Sequence, residues 1–129
     1  MQDGRFVVLC IDDDADVRDG LRMIIESTGY ADFAEAASGA AGCKEFDKVE
    51  PDMVLVDLMM ETQTAGLDTA AAIRAENPDV PIYLLSSVGD AAAATFDPAD
   101  HGLTGVFQKP IDPDQLLQCV SKRLNAISA

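Results

Sequence analysis

The chain has 129 residues, of which 48% are hydrophobic and 25% charged, which suits one globular domain with a proper core and excludes a disordered tail. A formal charge of −14 leaves no basic surface to neutralise phosphates, so direct nucleic-acid binding is not expected and a solvated acidic exterior is. No apolar run approaches the ~20 residues of a membrane span, and no basic region followed by an apolar stretch marks a signal peptide.

Three cysteines, Cys10, Cys43 and Cys119, are odd in number and lack metal-type spacing. Buried, reduced thiols in a cytoplasmic protein are the expectation.

The first apolar run, Phe6 to Ile11, is continuous rather than alternating, which predicts a strand buried on both faces. It leads directly into Asp12-Asp13. Asp14 is placed to cap a helix with Val17, Leu21, Ile24 and Ile25 at helical spacing, closed by Gly29. A short second strand is expected from Ala31 to Ala36. Ser38 then caps a helix containing Cys43, Phe46 and Val49, which ends before Pro51.

Asp52 to Asp57 reads as the next buried strand. A polar loop, Glu61 to Thr64, precedes a helix from about Ala65 to Glu76, stopped by Asn77-Pro78. Ile82 to Leu85 forms a fourth strand that delivers Ser86 and Ser87. Val88 to Phe96 reads as a brief Ala-rich helix before Pro98. Leu103 to Gln108 is the fifth strand and leads into Lys109-Pro110. Asp112 caps a last helix whose apolar face is Leu116, Leu117, Val120 and Leu124.

Strands alternate with helices five times, which predicts a parallel sheet with helices on both faces. Ligands of such sheets bind beyond the carboxyl ends of the strands. Asp12, Asp13, Asp57 and Lys109 should therefore meet at one edge. Two unit charges about 4 Å apart repel by roughly 4 kcal/mol at an effective dielectric near 20, so the carboxylates need a cation or an extra proton. Hard oxygen ligands with open positions suit Mg2+, and the lysine is a point charge matched to a phosphoryl oxygen. The pattern points to a carboxylate that accepts a phosphoryl group beside a divalent metal. Asp14, Asp16, Asp112 and Asp114 read as helix-start acids, and His101 as an exposed loop residue.

An acidic pair after strand one, Asp57 after strand three, the hydroxyl of Ser86 after strand four and Lys109-Pro110 after strand five occur in one order. In this the chain resembles a response-regulator receiver domain of two-component signalling, over essentially its whole length, residues 1–129. The resemblance implies a flavodoxin-like doubly wound (βα)5 fold with strand order 2-1-3-4-5. It implies that Asp57 is the phosphoacceptor. Asp13 and Asp57 would ligate Mg2+ directly, Asp12 through water, and Met59 through its main-chain carbonyl. Ser86 would hydrogen-bond the phosphoryl group, Lys109 would pair with a phosphoryl oxygen, and the Lys109-Pro110 bond would be cis.

The implied partners are a histidine kinase or histidine phosphotransfer domain and an unidentified downstream protein, with no membrane involved. The implied activity is self-phosphorylation and dephosphorylation of a signalling switch. Because the last helix ends near the carboxyl terminus, a stand-alone relay without an output domain is expected.

Several positions depart from the family pattern. Met60 is followed by Glu61 rather than proline, and the loop to Gly66 looks one residue longer. Val106 stands where Tyr or Phe is usual, with Phe107 expected on the opposite face of the strand. Ser87 replaces a small residue, and the helix before Pro98 is short. A haloacid-dehalogenase-type phosphohydrolase would share the Asp, Ser and Lys, but it needs a later acidic pair after another strand. An EF-hand starting at Asp12 would need glycine and glutamate where Val17 and Met23 stand. A degenerate receiver that binds partners without phosphorylation is the remaining alternative.

Overall fold

A computed structural model of the chain describes residues 4–58, 60, 65–87, 99 and 102–128. Its strands are β1 (Phe6–Ile11), β2 (Ala31–Ala36), β3 (Met53–Asp57), β4 (Ile82–Ser86) and β5 (Gly105–Gln108). Its helices are α1 (Ala15–Glu26), α2 (Gly39–Val49), α3 (Ala65–Glu76) and α4 (Pro113–Ser128). The loop expected at Glu61 to Thr64, the helix expected at Val88 to Phe96, and His101 lie outside the described residues.

All pairings are parallel, and the sheet order is β2-β1-β3-β4-β5, the doubly wound arrangement expected. Every residue of β1 and β3 is buried, as a strand covered by helices on both faces requires. Alternate residues of β1 enter opposite layers. Phe6, Val8 and Cys10 pack with Leu21 and Ile25 of α1 and Leu116 and Val120 of α4. Leu9 and Ile11 pack with Phe46 of α2 and Ile73 of α3. Among the described residues no helix is long and apolar enough to cross a membrane.

The caps follow the sequence. Asp14 Oδ1 accepts from Asp16 N at 2.9 Å, Ser38 Oγ from Ala41 N at 3.1 Å, and Asp112 Oδ1 from Asp114 N at 2.9 Å. Two strand starts differ from expectation, and side chains explain both. Asp52 precedes β3 because its carboxylate is used crosswise, accepting the Val7 N–H at 2.8 Å in a buried position. β5 begins at Gly105 rather than Leu103, because the Thr104 hydroxyl, not a backbone carbonyl, accepts from Ile82 N at 3.1 Å. Asp52→Ala, which leaves that N–H without its acceptor, should lower stability by about 2 kcal/mol in urea denaturation. Asp52→Asn keeps an acceptor and should recover most of the loss.

The cysteines divide. Cys10 is fully buried, whereas Cys43 and Cys119 are only half-buried, correcting the expectation of three buried thiols. Both lie on helices that are covered on one side only. Burial first, and the Asp12 charge second, push the Cys10 thiol well above its ordinary pKa. A thiol reagent should therefore label Cys43 and Cys119 but leave Cys10 unmodified until urea unfolds the chain, as intact mass would show.

Candidate functional site

The register brings the strand ends level. Ile11 pairs with Val56, Asp57 with Leu85, and Ser86 with Gln108. The residues at or just past these ends therefore line one crevice, where β1 lies between β2 and β3 and the chain winds away in both directions.

Asp12 is fully buried. Its N–H donates to Ala36 O at 3.0 Å, and its Oδ1 accepts from Asp14 N at 2.8 Å. Its Oδ2 faces the Lys109 ammonium at 2.9 Å. Asp57, at the end of β3, is 6% exposed and places Oδ1 3.3 Å from the same ammonium. Asp13 is exposed at the mouth. One carboxylate oxygen from each of Asp12, Asp13 and Asp57 lies within 4.8 Å of the others.

Lys109 follows β5, with its N–H bonded to Ser86 O at 2.7 Å and its peptide bond to Pro110 in the cis form. Burial alone would lower its pKa. Close contact with Asp12 and the charges of Asp12 and Asp57 outweigh that, and the pKa is raised. The ammonium is held charged. Ser86 is buried at the end of β4, and among the described residues its hydroxyl donates a long 3.4 Å bond to Ser87 O. A bond of that length is weak, so the hydroxyl can turn to a better acceptor at little cost.

The structure thus brings together Asp12, Asp13, Asp57 and Lys109, and places Ser86 at the end of the neighbouring strand with its carbonyl bonded to Lys109 N–H. Met59 and Glu61 lie outside the described residues. Val106 is 39% exposed, while Phe107 is buried and packs on Tyr83 with ring centroids 4.9 Å apart. The aromatic residue of this strand is on the opposite side from Val106 and is committed to the core.

One residue not singled out in the sequence also reaches the site, and a second holds it there. Arg18 of α1 donates from Nη1 to the Asp12 carbonyl at 2.6 Å and from Nε to Glu35 Oε1 of β2 at 2.8 Å. The signal was available in principle. Helical side chains lean toward the N-terminus, so a long residue one turn past the Asp14 cap points back at the strand end.

Three carboxylates against one ammonium leave a formal −2 at the crevice. The Asp12 Oδ2 atom is buried and, although ion-paired with Lys109, meets no donor at a hydrogen-bonding angle among the described residues. A buried carboxylate oxygen short of an aligned partner, beside two further carboxylates, fits a hard divalent cation.

Residues 8–121 match the family model of the response regulator receiver domain. The chain belongs to this family. It is 34% identical over 116 residues to the nitrate/nitrite response regulator protein NarP of Escherichia coli, covering 89% of this chain and 53% of that one. It is 28% identical over 115 residues to the chemotaxis protein CheY of Listeria monocytogenes, covering 89% of this chain and 95% of that one. The receiver thus spans little more than half the length of the nitrate/nitrite regulators it matches, at 53% and 58%, and nearly all of the chemotaxis protein. Among solved structures, a response regulator receiver domain protein from Clostridium thermocellum superposes with a TM-score of 0.83. That likeness, at 22% identity over 95% of this chain and 97% of the other, concerns the fold.

Proposed function

We propose that this receiver, residues 1–129, accepts a phosphoryl group on Asp57 from a phosphohistidine of a histidine kinase or phosphotransfer domain and signals by binding a partner in the phosphorylated state. The observation that carries this reading is the placement of Asp57 in a cluster of three carboxylates, with the Lys109 ammonium 3.3 Å from its Oδ1.

In the transfer, an Asp57 carboxylate oxygen bonds to phosphorus as the bond from phosphorus to the imidazole nitrogen breaks, and the imidazole keeps the electron pair. Later a water attacks the same phosphorus, releasing phosphate and returning the Asp57 carboxylate. Lys109 neutralises a phosphoryl oxygen, and the Ser86 hydroxyl turns from Ser87 O to donate to another. Asp12, Asp13 and Asp57, with the Met59 carbonyl, would hold Mg2+, which supplies charge neutralisation to the transferring group. Catalysis of this kind is positioning and electrostatics rather than covalent assistance from other groups.

Incubation with Mg2+ and acetyl phosphate, followed by intact mass, tests the reading. Wild type should gain one phosphoryl group and Asp57→Asn none. An adduct of equal yield on Asp57→Asn, or none on wild type, would overturn it.

A further inference from the structure

Asp13 presents a difficulty that the rest of the site does not. Asp12 and Asp57 are held by burial, but Asp13 is exposed, so burial among the described residues does little to hold its side chain at the crevice. What fixes it must act through the backbone on either side.

The following peptide is held from within: Asp12 Oδ1 accepts the Asp14 N–H at 2.8 Å. The preceding peptide is held from outside. Its carbonyl is Asp12 O, which accepts from Arg18 Nη1 at 2.6 Å. A peptide unit is rigid and planar from one Cα to the next, so pinning the Asp12 carbonyl also fixes the Asp13 N–H and Cα.

Arg18 is itself held. Its Nε donates to Glu35 Oε1 at 2.8 Å, and its side chain is only 16% exposed. Glu35 is gripped a second time through Oε2 by Arg22, whose guanidinium lies 5.0 Å over the Phe33 ring. β2 thus anchors Arg18 through a carboxylate with two guanidinium partners, and Arg18 passes that anchorage to the Asp12–Asp13 peptide. A planar fork with several donors can bridge a carboxylate and a carbonyl at once, which an ammonium cannot do as well.

We propose that Arg18, oriented by Glu35, is a positioning residue that holds Asp13 for the divalent cation. This rests on the metal-assisted reading above. The sign of the effect makes it testable. Arg18 is a cation near a cation site, so deleting its charge would by itself tighten Mg2+ binding. Positioning predicts the reverse.

Mg2+ titration of the unphosphorylated protein by calorimetry gives the readout, with Mg2+-free urea denaturation confirming that each variant is folded. Arg18→Ala should raise the Mg2+ dissociation constant about tenfold, the lower end of what losing a supporting partner costs a metal site. Arg18→Lys should fall between it and wild type, and Glu35→Gln should shift the same way by less. The Mg2+ concentration for half-maximal phosphorylation by acetyl phosphate should rise in parallel, with the rate at saturating Mg2+ falling by less.

An unchanged or tighter dissociation constant in folded Arg18→Ala would overturn the proposal. If that variant does not fold, unchanged constants in both Arg18→Lys and Glu35→Gln would overturn it. Failure of wild type to bind Mg2+ at all would instead sink the metal-assisted reading, and this inference with it.

Discussion

Lys109→Ala is expected to lose about 3 kcal/mol of stability in Mg2+-free buffer, a value typical of removing one partner from a buried ion pair. The reason is the depth of Asp12. Its carboxylate is fully buried, its Oδ2 faces Lys109 at 2.9 Å, and Asp57 Oδ1 shares the same ammonium at 3.3 Å. Without that charge, two closely spaced carboxylates are left in a low-dielectric crevice. Because the Lys109 pKa is raised in the fold, its contribution is full below the ordinary lysine range and is lost only as pH rises through the folded value.

Mg2+ should restore much of the loss, since a ligand that binds only the folded state at a hundred times its dissociation constant adds about 2.7 kcal/mol. Asp13→Asn should behave in the opposite sense. Its carboxylate is exposed and adds repulsion without the close lysine contact, so removing it should raise the Mg2+-free urea midpoint slightly and blunt the response to Mg2+. Urea denaturation of both variants, with and without Mg2+, checks the pattern. Equal stability of Lys109→Ala and wild type in Mg2+-free buffer would mean that the site does not store charge repulsion in this way.

The same charge logic is legible in the sequence, because each element of the site announces itself locally. Asp12 and Asp57 end or follow continuous apolar runs, and a run buried on both faces identifies a central parallel strand whose end faces a crevice, whereas Lys109 follows the edge strand β5, in which Phe107 is the buried residue. Caps such as Asp14 and Ser38 were legible because their partners lie two and three residues away. What sequence reading missed is what depends on distant register. Arg18 meets Asp12 and Glu35 only once β1 and β2 are paired, and Asp52 meets Val7 only once β3 lies beside β1. The degree of burial of Cys43 and Cys119 likewise depends on which helix faces stay uncovered.

Gly66 is a register effect of the same kind, and Gly66→Ala should be among the most damaging single-methyl changes in the chain. A Cβ there would meet Asp57 O, with Leu58 Cα at 2.6 Å and Leu58 O at 2.7 Å. All three are backbone atoms that cannot rotate aside, so either α3 must lift from the sheet or the end of β3 must move. The Gly66 N–H also donates to Leu58 O at 3.0 Å, tying α3 to the residue after Asp57. Overpacking of this kind costs about 1–3 kcal/mol, and the upper end is expected where only backbone can yield.

The larger effect should be on Asp57 itself. Displacing a reacting group by about 1 Å costs on the order of a hundredfold in rate, so acetyl phosphate labelling should slow by that much even where Gly66→Ala remains folded. Gly20→Ala is the matched control: a Cβ there meets nothing within 4 Å, and in α1 it should stabilise the chain by about 0.5–1 kcal/mol. Thermal melting and labelling rates of the two variants side by side separate crowding at the phosphoacceptor strand from the general effect of adding a methyl to a helix. Wild-type melting and labelling in Gly66→Ala would show that α3 and β3 can part without disturbing Asp57.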